Sequence, residues 1–175
     1  MRSVYLDTNV ISGLAKGEYP EKVAAALLEV TALAKNGQIE LYTSDVTAEE
    51  LELIPPGYGR QHFVIYNLIR NIARAPERRQ FHHVIGGIGA IVRWTRLPSG
   101  NAQLYKELDA LIPAEKNHQK SNARRRDIAH LYRFKQSGLD LFLTEDHKSI
   151  LRYKASLLAL GIRVASSLDL IAWKE

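Results

Sequence analysis

The chain has 175 residues, 46% hydrophobic and 25% charged, enough for one domain with a buried core and no external staples. It has no cysteine, which excludes disulfides, thiolate metal sites and cysteine nucleophiles, and no apolar run reaches the roughly 20 residues of a membrane span. With no signal peptide ahead of the first strand-like segment the expectation is a cytoplasmic protein, and a formal charge of +5 favours a polyanionic partner.

In chain order, residues 3–6 read as a short buried strand running into Asp7, followed by polar Thr8 and Asn9. A helix is expected from about Pro20 to Lys35, because proline suits a first helical turn and Asn36-Gly37 stops it. Ile39–Thr43 alternates as a strand, and Ser44–Ile54 reads as a helix ended by Pro55-Pro56-Gly57. Helices are expected at 60–75 and 102–112, with a loop or helix entry at 114–122. Ser121 is expected to cap a helix running to Gln136, stopped by Ser137-Gly138. The strand Leu139–Leu143, the helix Lys148–Leu160, the strand Ile162–Ala165 and a helical turn at 168–173 complete the chain. Strands alternating with helices imply an α/β domain with a mainly parallel sheet. Residues 55–120 then form a helical insertion within a single domain spanning 1–175.

Four acids carry the chemistry. Asp7 and Asp146 end two apolar runs, while Glu50 and Asp127 fall in helical patterns between them. If those runs are neighbouring parallel strands, their carboxylates meet at the carboxyl edge of the sheet, where such folds bind ligands. A carboxylate cluster suits a hard divalent cation such as Mg2+ or Mn2+. Metal-assisted hydrolysis of a phosphodiester follows. Each acid also has a plainer reading. Glu50 stands three residues after Thr47, as in a capping box, and Asp127 follows three arginines, as on a solvated salt-bridged face. Arg124, Arg125 and Arg126, with Arg74, Arg78 and Arg79, are the candidate phosphate contacts. His82-His83 does not suit one metal ion, and His130 and His147 read as surface histidines, with help in a proton transfer near the site as the alternative for either. Gly86-Gly87-Ile88-Gly89 lacks the lysine and spacing of a phosphate loop.

Tyr5-Leu6-Asp7-Thr8-Asn9-Val10 resembles the opening signature of PIN domains, the fold of VapC-type toxin ribonucleases. Ser44–Leu51, Arg126-Asp127-Ile128-Ala129 and Leu143-Thr144-Glu145-Asp146 are similar to the three later elements, and Ile162–Leu170 to the family's ending. The resemblance covers residues 3–54 and 121–173. It implies a three-layer sandwich and a Mg2+- or Mn2+-dependent endoribonuclease. In that reading Asp7, Glu50, Asp127 and Asp146 hold the metal, and Thr8, Asn9 and Thr144 position the acids or bound water. A protein antitoxin and a homodimer are the partners it implies beside RNA. Lys148 stands where many members carry a further acid, so it is expected to meet phosphate together with Arg124 and Arg125. Two rivals are a nucleic-acid-binding or assembly module without turnover, and a phosphotransferase with Asp7 as nucleophile. The second usually has another acid two residues on, where this chain has Asn9.

Overall fold

A computed structural model describes residues 2–52, 102–113 and 118–173. The helix expected at 60–75, the glycine cluster at 86–89, His82, His83, Arg74, Arg78 and Arg79 lie outside the described residues. So does most of the expected 55–120 insertion.

Strands β1 (Arg2–Leu6), β2 (Ile39–Tyr42), β3 (Leu141–Leu143) and β4 (Val164–Ala165) form an all-parallel sheet in the order β2-β1-β3-β4. The helices are α1 (Thr8–Lys16), α2 (Glu21–Lys35), α3 (Asp45–Glu52), α4 (Ala102–Leu111), α5 (His118–Ser137), α6 (Lys154–Ala159) and α7 (Ser167–Ala172). Alternation along β1 assigns them to two faces, because successive strand side chains point opposite ways. Val4 and Leu6 join a core with Val10, Ile11, Leu27 and Leu170 from α1, α2 and α7. Tyr5 joins the other core with Leu108, Ile128, Phe134 and Leu157 from α4, α5 and α6. The result is the α/β sandwich expected, with helices on both sides of the sheet. Among the described residues no helix is long and apolar enough to cross a membrane.

Three local expectations are corrected. Helix α1 stands where the sequence suggested no helix. It opens at Asp7 without a side-chain cap and carries Gly13 in its middle, so propensity and capping both conceal it. Gly13 is there for space: the ring of Tyr19 lies where a Cβ would project, and Tyr19 Oη donates to the Asn9 carbonyl (2.7 Å). Helix α5 begins at His118, so Ser121 lies inside it rather than capping it. The segment after Asp146 makes a turn and a 3-10 turn (Leu151–Tyr153) before α6, because the Asp146 side chain binds the first free N–H groups and diverts the chain.

Candidate active site

The strand order makes the site. The chain leaves β1 for β2 on one side and returns to β3 on the other, so the topological switch falls between the carboxyl ends of β1 and β3. Asp7 and Asp146 lie just past those ends. The Asp7 N–H still donates to the Leu143 carbonyl (3.0 Å), extending the pairing to the acid itself. Glu50 reaches the same place from α3, and Asp127 from α5.

Asp7 is 5% exposed. Thr144 Oγ donates to its carboxylate (2.7 Å), and Asn9 Nδ2 donates to Thr144 Oγ (2.8 Å). Asn9 Oδ1 in turn accepts the Glu145 N–H (3.2 Å), and Thr144 Oγ accepts the Asp146 N–H (3.1 Å). Asn9 and Thr144 therefore tie the ends of β1 and β3 together while orienting Asp7. Thr8 Oγ1 lies 3.2 Å from His130 Nε2 and also hydrogen-bonds Glu50.

Glu50 does not form the capping box with Thr47. Ser44, one residue before α3, accepts the Thr47 N–H (3.4 Å), which places Thr47 inside the helix. Glu50 instead meets His130 Nε2 (2.9 Å), with Arg126 Nε 3.7 Å from its other oxygen. Asp127 hydrogen-bonds Ser149 and faces Asp7 and Asp146. The Asp146 carboxylate accepts the Lys148 N–H (2.9 Å), the Ser149 N–H (2.8 Å) and the Ser149 hydroxyl.

The electrostatics of the acids follow from their burial and then from one another's charge. Burial, then the negative charges of Asp7 and Asp146, push Asp127 up to about 8. Burial also raises Asp7, against the opposing pull of His130 and the Thr144 hydrogen bond. For Glu50 burial acts upward, but the His130 hydrogen bond and charge outweigh it and the net shift is downward. For His130 burial acts downward, yet its bond to Glu50 and the charge of Asp7 raise it overall. Both shifts act in one direction, favouring the protonated form of Asp127 and the charged form of His130, and so both lessen the negative charge of the cluster.

Among the predicted phosphate contacts, Arg124 is engaged elsewhere. Its guanidinium donates to the Ile112 carbonyl (2.6 Å) and the Asp109 carbonyl and pairs with the Asp109 carboxylate (2.8 Å), binding α5 to α4. Arg125 is exposed and acts electrostatically on Tyr105 of α4, beside Arg124. Lys148 is exposed next to Asp146, and Arg126 is the arginine that reaches the acids. His147 is a surface histidine as expected, with 70% of its side chain exposed. His130 is not: it is 1% exposed. Ser149, whose hydroxyl is shared by Asp127 and Asp146, was not among the expected site residues. Among the described residues, no three carboxylate or imidazole groups are gathered closely enough to hold a metal ion.

No protein-family model matches the chain, and a search of curated proteins gives no match.

Proposed function

We propose that the protein is a divalent-metal-dependent endoribonuclease of the PIN type. The observation that carries this reading is the convergence of Asp7, Glu50, Asp127 and Asp146, from four separate elements, at the switch point of a parallel sheet. The donors are all oxygen, which fits Mg2+ or Mn2+. When bound, such an ion supplies charge neutralisation at a scissile phosphate and an acidified water. The chain's own residues do the rest. Thr144 and Asn9 hold Asp7 in one orientation, Arg126 and Lys148 offer charge to the phosphates, and the +5 balance draws RNA towards an otherwise acidic cleft.

The test is cleavage of mixed single-stranded and structured RNAs by wild type and Asp7→Asn, with Mg2+, Mn2+ or chelator. Cleavage is expected with either metal, and a loss of at least about a hundredfold, ~2.7 kcal/mol of barrier, in Asp7→Asn. Equal rates in both proteins would remove Asp7 from the site. One observation favours a second reading, a PIN-like nucleic-acid-binding module without turnover. The Asp146 carboxylate is occupied by three donors of its own turn. Retained RNA binding with no metal-dependent cleavage would select it.

A further inference from the structure

One side chain outside the four acids is bound to the site through both of its polar atoms. His130 lies one helical turn after Asp127 and is 1% exposed. Its Nε2 is 2.9 Å from Glu50 Oε2, and its Nδ1 is 2.8 Å from Tyr5 Oη. Tyr5 is itself held on several sides. It is fully buried one residue before the carboxyl end of β1, its ring stacks on Phe142 (5.2 Å between centroids) and meets Phe134 edge-on, and its hydroxyl donates to Ser44. The His130 ring stands edge-on to Tyr5 at 5.9 Å. A ring held at both nitrogens cannot swing without breaking a buried hydrogen bond.

Glu50 is the acid that most needs such a hold. Asp7 follows a strand, and Asp146 is fixed by its own turn, whereas Glu50 sits near the end of an eight-residue helix. Its side chain is a methylene longer than an aspartate's, so it loses more rotamer freedom on ordering. We infer that His130 is the positioning residue for Glu50, through which the aromatic core around Tyr5 sets where that carboxylate stands. The contact stands on geometry alone; its consequence for metal affinity rests on the metal-centre reading above.

The experiment is Mn2+ titration of the whole chain, followed by the EPR signal of free Mn2+, with thermal unfolding of each metal-free variant. His130→Asn, too short to reach Glu50, is expected to weaken Mn2+ binding about tenfold or more. His130→Gln places an amide nitrogen near the position of Nε2 and is expected to recover most of that loss. Unchanged affinity in His130→Asn overturns the inference, and so does a His130→Gln no better than His130→Asn. If His130→Asn does not fold, Tyr5→Phe takes its place: weaker binding is expected, and wild-type affinity overturns the inference. A wild type that binds no Mn2+ sinks the metal-centre reading instead. The ring 15N signals of the metal-free chain then decide, since Glu50→Gln should move the His130 Nε2 resonance. An unmoved resonance overturns the inference.

Discussion

Successive residues of β1 enter two interiors of different chemistry. Val4 and Leu6 meet valine, leucine and isoleucine from α1, α2 and α7. Tyr5 meets Phe134 and Phe142, and through its hydroxyl meets Ser44 and His130. The aliphatic side is non-directional: it stabilises by area and tolerates small shifts. The aromatic side ends in hydrogen bonds with fixed partners, so it supplies direction as well as stability. Both faces therefore fasten the sheet, and the one that holds Tyr5 also aims a carboxylate.

Substitution on the aliphatic face should give the largest stability effect and leave the site alone. Leu27→Ala is expected to cost about 2–5 kcal/mol in urea unfolding, with the ring 15N signals of His130 unchanged. Movement of those signals would show that the two faces are not separable. On the acidic edge the expected effect is opposite in sign. The folded pKa of Asp127 lies near 8, far above its unfolded value of about 4. The folded state thus keeps a proton that the unfolded state gives up, and stability falls as pH rises between those values. Asp127→Asn should then stabilise the metal-free protein by roughly 1–3 kcal/mol at pH 8 and by almost nothing at pH 3. A pH-independent difference would contradict the buried, crowded carboxyl. The smallest effect is expected at the far edge of the sheet. The Ser3 N–H and hydroxyl (both 2.8 Å) bind Asp140 and hold its pKa below the usual value. Its contribution is present above pH 4 and lost as pH falls through the lowered pKa. Because the group is exposed, Asp140→Asn should cost no more than about 1 kcal/mol at pH 7 and nothing at the acid limit. A larger loss in thermal unfolding at neutral pH would mean that this edge is not merely a surface tie.

Much of this arrangement was legible locally. The apolar runs located all four strands, and an acid directly after a buried strand has few plain explanations, which singled out Asp7 and Asp146. Asn9 and Thr144 were legible as neighbours of those acids. Long-range partners were not. His130 sits in a helix rich in lysine and arginine, and its partners Tyr5 and Glu50 are 125 and 80 residues away. The one local signal was its position three residues after Asp127, on the same helical face. Ser149 had a similar signal, three residues after Asp146, where a hydroxyl can close a turn on a carboxylate. Arg124 misled because a run of three arginines says nothing of which one turns inward. Its partners Asp109 and Ile112 belong to another helix and the residue just after it.

The strand order also sets a timetable. β1 is the first strand in the chain yet lies in the interior of the sheet, and its β3 side stays open until residues 141–143 arrive. The hydrogen bond that orients Asp7 spans 137 positions. Closure over such separations is slow and comes late in folding. During synthesis, Asp7 emerges early and remains without Thr144 and Asp146 until more than three-quarters of the 175 residues have been made. A nascent chain that already displays its first acid therefore has not yet brought its four acids together.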